Sequence, residues 1–354
     1  LIPELGLIEG FFGRPWGWQE RRESIAYLRP HNYCFYLYAP KADAYLRRHW
    51  QDLHPDEEME QLAKLAAECR ALGMRFGIGL SPFELHLAPE KGWQDMLARK
   101  LAHIDQLRPD DLAILFDDMR GDIPELAQRQ AAIVQFAAER THASRLLCCP
   151  TYYSDDPILD GVFGHRPPNY LRELGRRLDP AIGIMWTGPE VCSFELSPGH
   201  LAKVAEEIGR LPFLWDNYPV NDGQRMSRHL HIRGFTGRPA SIARHIAAHG
   251  INPASQPVLS RIPALTLADS YRFGDGYDYG VSLKKSVRAV LGPELGEQVR
   301  RDLVVLQDRG LDRMDRRRTA LRETYRSFDH PGAAEILSWL DGHWTVFDGS
   351  AQTQ

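Results

Sequence analysis

The chain has 354 residues, room for one large α/β domain of about 250 residues plus a smaller appendage. Its 43 Lys and Arg nearly balance 47 Asp and Glu, the net charge is −4, and no Lys/Arg-rich run suited to a phosphate backbone occurs, which argues against nucleic acid as a partner. No stretch approaches the roughly 18–20 apolar residues of a membrane span, and five scattered cysteines (Cys34, Cys69, Cys148, Cys149, Cys192), odd in number and without CxxC spacing, argue for reduced thiols and against structural zinc.

Along the chain, short apolar and aromatic runs alternate with helical patterns whose apolar residues recur three and four apart. The predicted strands are residues 6–12, 33–38, 75–80, 112–117, 145–149, 182–186, 212–216 and 231–235. The predicted helices are 57–72, 93–107, 123–140, 170–178, 200–208 and 241–249, while the connection 220–230 is too short for a full helix. Eight such units favour a closed (β/α)8 TIM barrel over a doubly wound sheet, because GLIEGFFGRPW after the first strand carries no GxGxxG phosphate turn. Beyond about residue 255 the strand signal ends and helical patterns follow at 283–291, 296–309 and 313–326. The expected organisation is a catalytic barrel over 1–255 and a helical region over 256–354.

A parallel barrel carries its chemistry at the C-terminal ends of its strands. There the fourth strand, LAILF, runs into Asp117 and Asp118. Other strand ends bring Gly10, Phe12 and Arg14, then Lys41, Cys149 and Tyr153, then Trp215, Asn217 and Asp222. Aromatic rings beside Asp, Asn and Lys suit a neutral sugar, whose C–H face stacks while its hydroxyls need directional partners.

Several plainer readings stay open on these residues. The aspartate pair suits a helix cap or a solvated turn, and with Asp122 it suits a divalent metal. Lys41 suits a Schiff-base lysine, although it stands just beyond the strand instead of within the barrel. Trp186 and Trp215 suit the core, and Cys149 is most simply a buried small hydrophobe near the mouth, carried among the pocket candidates.

The segments GLIEGFFGRPW, YLYAPK, ILFDD, CPTYY, MWTGPEV and LWDNYPVND resemble, in this order, the motifs of the family 84 glycoside hydrolases, the O-GlcNAcases and their bacterial relatives, over roughly residues 6–240. The resemblance implies a (β/α)8 barrel, no cofactor and a terminal β-linked N-acetylglucosamine on protein Ser/Thr or glycan. It further implies exo action with retention through neighbouring-group participation, in which the substrate's 2-acetamido oxygen forms an oxazoline. Asp117 then matches the residue that orients the acetamido group, Asp118 the general acid and base, and Tyr153 the tyrosine that closes over the acetamide. Trp215 matches a wall of the acetyl pocket, Asn217 a pocket asparagine, and Asp222, Lys41 and the Gly10 carbonyl the grips on the sugar hydroxyls.

Two departures stand out. The Asn-Pro that the family shows after strand eight is read here as Gly237-Arg238-Pro239, which makes Arg238 a substrate-binding candidate. Gly223 follows Asp222 where the family often has an aromatic. Competing readings are a sugar-binding barrel with little turnover and a metal-dependent lyase or aldolase barrel. The expected location is cytoplasmic, and because the sequence opens on Leu a removed export signal stays open.

Overall fold

A computed structural model describes residues 2–87, 91–314 and 316–347. Eight parallel strands close into a barrel in sequence order. They are β1 (Glu4–Glu9), β2 (Tyr33–Tyr38), β3 (Arg75–Leu80), β4 (Asp111–Leu115), β5 (Arg145–Cys149), β6 (Gly183–Trp186), β7 (Phe213–Asp216) and β8 (Ala248–Ile251). Strands such as β2 (YCFYLY) and β4 (DLAIL) are buried almost throughout, because helices cover one face and the barrel interior the other.

The helices are α1 (Trp18–Leu28), α2 (Asp56–Ala71), α3 (Trp93–Ile104), α4 (Leu126–Ala138), α5 (Ile158–Phe163), α6 (Tyr170–Arg177), α7 (Pro198–Ile208) and α8 (Arg261–Phe273), followed by α9 (Tyr279–Leu291), α10 (Pro293–Leu303), α11 (Arg317–Arg326) and α12 (Pro331–Leu340). Helix α8 follows the last strand and packs against α1, while Tyr33 Oη at the foot of β2 donates to its Ala264 carbonyl at 2.9 Å. The predicted helix 296–309 is α10 continued by a π-helical turn over Val304–Arg309, and Asp315 in the predicted helix 313–326 lies outside the described residues. No α-helix joins β7 to β8 among the described residues, only two 3-10 turns.

The eighth strand is a correction. Residues 231–235 form no strand, and the predicted helix 241–249 is instead a 3-10 turn (Ala240–Arg244) leading into β8. The ladder positions beside β7 and β1 belong to Ala248–Ile251, paired with Phe213–Asp216 and with Glu4–Leu7. Local propensity hides this strand, since Ala and Gly are poor strand formers and His249 is polar. Tertiary packing selects it. A Cβ on Gly250 would sit 2.4 Å from Ile8 Cδ1, so the glycine admits the neighbouring side chains, and His249 is paired with Asp216 and Tyr271. Residues 231–235 have other partners: Ile232 and Arg233 N–H donate to Gln307 Oε1 and Phe235 N–H to Thr266 Oγ1.

Candidate active site

A cavity opens at the C-terminal ends of the strands, where a parallel barrel keeps its chemistry, and encloses about 440 Å³ of space continuous with solvent. Gly10, Lys41, Asp117, Asp118, Cys149, Tyr153, Trp215, Asn217 and Asp222 all line it. Phe12, Thr187, Val191 and Asn252 complete the lining.

Consecutive residues of a strand point to opposite faces, yet Asp117 and Asp118 both reach this cavity. The chain has left β4 by then, and Asp118 adopts a left-handed backbone (φ 56°), a strained conformation that Asp tolerates better than most residues. Arg47 holds the turn from below, its guanidinium donating to the Asp118 carbonyl at 3.2 Å and reaching the Asp117 carbonyl at 3.5 Å. Asp117 Oδ2 forms a buried ion pair with Lys41 Nζ. Asp117 Oδ1 is buried and has no hydrogen-bond partner. A buried carboxylate oxygen left in that state is costly unless a ligand supplies the donor.

Asp118 differs in surroundings. Tyr153 Oη donates to Asp118 Oδ1 at 3.0 Å. Burial raises the Asp118 carboxyl above its ordinary range and the charge of Asp117 adds to this, while Lys41, Arg47 and the Tyr153 hydroxyl oppose it. Asp118 is thus biased toward keeping its proton. Burial, reinforced by Asp117, also drives the Cys149 thiol well up, so Cys149 serves as a small protonated wall residue.

The opposite wall is a chain of amides. Gly10 N–H donates to Asn252 Oδ1 (3.3 Å), Asn252 Nδ2 to Asn217 Oδ1 (3.0 Å), and Asn217 Nδ2 to the Val191 carbonyl (2.9 Å). Gly10 lies so close to the Trp215 ring that a Cβ there would be 2.1 Å from Cζ2. Asp222 Oδ2 accepts from Phe12 N–H at 2.6 Å, tying the loop after β7 to the loop after β1.

With this geometry in place, residues 5–307 match the family model described as beta-N-acetylglucosaminidase. The chain belongs to the β-N-acetylglucosaminidase family. It is 30% identical over 285 residues to the Protein O-GlcNAcase of Mus musculus and 30% identical over 280 residues to that of Rattus norvegicus, in each case over 75% of this chain. It spans only 30% of the length of those relatives. A solved mutant of the Thermobaculum terrenum O-GlcNAc hydrolase superposes with a TM-score of 0.77 at 28% identity, covering 96% of this chain and 80% of that one.

Within the β-N-acetylglucosaminidase barrel, Arg238 does not enter the cavity. It lies buried against Asp216, donating to both carboxylate oxygens at 2.8 Å, and its remaining N–H groups go to the carbonyls of Ser193, Phe194 and Thr236. The assignment of Arg238 as a sugar contact came from placing strand eight too early. The residues that follow the observed β8 are Asn252 and Pro253, so the Asn-Pro of the family is present and Asn252 faces the cavity.

The other readings also meet the geometry. Asp122 turns away to pair with Arg120, so the three aspartates do not converge as metal ligands. The trio whose ligand atoms do lie within 4.8 Å of one another, among the described residues, is Asp43, His54 and Glu58, outside the cavity. Lys41 is engaged by Asp117, a partner that a Schiff-base amine would have to give up. Trp186 is wholly buried, as a core residue.

Proposed function

We propose that the protein is an exo-acting, retaining β-N-acetylglucosaminidase that removes terminal β-linked N-acetylglucosamine with the substrate's own acetamide as nucleophile. The observation that carries this reading is the buried Oδ1 of Asp117 without a hydrogen-bond partner, next to an Asp118 carboxyl that burial biases upward.

In the first step the acetamido N–H donates to Asp117, which turns the amide oxygen toward the anomeric carbon and stabilises the charge of the forming oxazolinium. The C1–O bond to the leaving group breaks as the amide oxygen bonds C1, and the departing oxygen takes the Asp118 proton. In the second step the Asp118 carboxylate removes a proton from water as that water attacks C1 and reopens the ring. Two displacements at C1 retain the anomeric configuration. Tyr153 orients Asp118 through its hydroxyl. In this reading Trp215 walls the acetyl group and Lys41, Asp222, Asn252 and the Gly10 carbonyl take the hydroxyls, roles supported by the presence of all five residues in the cavity lining. A single-sugar cavity limits action to a chain end.

Proton NMR of the first-formed product tests this: the β anomer is expected, together with competitive inhibition by a thiazoline that mimics the oxazoline. An α product overturns the reading. EDTA is expected to leave the rate unchanged. The sugar-binding alternative drew on the Arg238 departure and loses that support once Asn252 occupies the position. The five cysteines are free thiols, which supports the cytoplasmic reading.

A further inference from the structure

Beside the first cavity lies a second one of about 900 Å³, between the loops after β6 and β7 and the C-terminal helices. We propose that it binds an apolar or aromatic side chain of a polypeptide whose glycosylated Ser or Thr occupies the first cavity. This rests on the function proposed above and names the aglycone it would favour.

Continuity is the first argument. Asn217 lines both cavities; Val191 and Asp222 line the first, while Cys192, Tyr218 and Met226, close by on the same three segments, line the second. Asn217 is thus common to both linings, so residues flanking a glycosylated Ser or Thr in the first cavity lie within reach of the second.

Chemistry is the second argument. Phe194, Tyr218, Met226, Phe235 and Tyr279 give the second cavity an apolar lining, and Phe194 is 85% exposed at its rim. The charged and polar groups around it are already matched. Arg233 pairs with Asp308, all five N–H groups of Arg238 are engaged, His231 Nδ1 is bonded to the Pro219 carbonyl and Gln307 Oε1 accepts two backbone N–H groups. Such a site rewards burial of an apolar group and offers little to a hydroxyl-rich glycan or an anion.

The test uses synthetic peptides that carry one O-linked N-acetylglucosamine on serine in an Ala/Gly/Ser background, with a single Phe moved through the neighbouring positions. At one or two adjacent positions Phe is expected to lower KM about tenfold with kcat unchanged, the signature of added uniform binding. Phe194→Ser, which removes the rim aromatic, and Thr236→Trp, which fills the cavity from an exposed lining position, are expected to abolish that preference. Both should leave hydrolysis of a small aryl N-acetylglucosaminide unchanged, which also reports that they fold. A KM indifferent to Phe placement overturns the proposal, as does equal slowing of both substrates. So does Phe194→Ser abolishing self-association without altering peptide preference, which would make the face a contact between copies. Absence of aryl glycoside turnover in the unaltered protein strikes the proposed function instead.

Discussion

Asp111 and Asp117 stand at opposite ends of one strand path, and the contrast between them separates stability from chemistry. At the lower end both Asp111 oxygens are taken: Arg145 donates to them at 3.0 and 2.6 Å, Arg75 Nε adds a bond of 2.9 Å, and Arg145 reaches on to Glu4 at 2.7 Å. At the upper end Asp117 has one cation, Lys41, and one oxygen with nothing to bind. A carboxylate whose partners are complete holds strands together. One whose partners are incomplete, as at Asp117, is left able to accept a donor from a ligand, which is the role proposed for it.

The sharpest way to break that contrast is at the upper end. Asp118→Asn is expected to lose about 10²–10⁴ in kcat/KM on substrates with poor leaving groups, which need a proton, and much less on activated aryl glycosides, which do not. Asp117→Asn should slow both classes by about 10²–10³, since it weakens the stabilisation of developing positive charge. Equal, small losses from the two substitutions would contradict the division of labour. On the proposed reading the raised Asp118 carboxyl also shapes the pH profile: poor leaving groups need its proton, so activity on them should fall as pH rises through its value, whereas activated aryl glycosides should show little of that alkaline limb. The stability sign follows from the same direction. Between the unfolded Asp value of about 3.9 and the raised folded one, the native state binds the proton more tightly, so stability falls with rising pH in that window.

A second comparison sets Asp216 beside Asp118. Burial would raise the Asp216 carboxyl, but Arg238 and His249 overcome this and hold it at about 2. Its stability contribution is therefore present above the unfolded value of about 3.9 and is lost as pH falls toward about 2. Arg238→Met should destabilise the fold by about 3–5 kcal/mol, as when one partner of a buried pair is removed, and should flatten that acid limb in denaturant titrations. An unchanged unfolding midpoint would contradict a structural role for the Arg238–Asp216 pair. Asp111→Asn should be milder, about 1–3 kcal/mol, because Arg75 and Arg145 are 33% and 22% exposed and partly screened. Its kcat and KM per folded molecule should match the unaltered protein, and a kinetic defect would undo the contrast between the strand's two ends.

How much of this was legible depended on where the information lay. Strands β1–β7 show as apolar runs because burial on both faces is written into consecutive residues, and the aspartate pair shows because charge at the end of such a run is conspicuous. Strand β8 did not show, since its Ala, His, Gly and Ile are chosen by what surrounds them: Ile8 against Gly250, and Asp216 and Tyr271 against His249. Helix α1 was hidden for a related reason. Its inward face includes Arg21 and Ser24, and Arg21 is buried only because Glu9 accepts two of its N–H groups at 2.8 Å, a pairing no periodicity reveals. The misplaced strand then carried a functional error with it, promoting Arg238 and passing over Asn252.

Asn252→Ala gives the finest version of the comparison and the smallest effect. The side chain receives the Gly10 N–H and donates to Asn217, and it faces the cavity without any ion pair. Its loss removes neutral hydrogen bonds worth about 0.5–1.5 kcal/mol each, so affinity for N-acetylglucosamine or the thiazoline should weaken about threefold to tenfold. Since the contact would be made equally to bound substrate and transition state, KM should carry most of the change. Thermal unfolding should move less than for Arg238→Met, because no buried charge is orphaned. If inhibitor affinity stays constant while kcat falls, Asn252 acts through Asn217 and Gly10 as a brace, and the hydroxyl grip must be sought in Lys41, Asp222 and the Gly10 carbonyl.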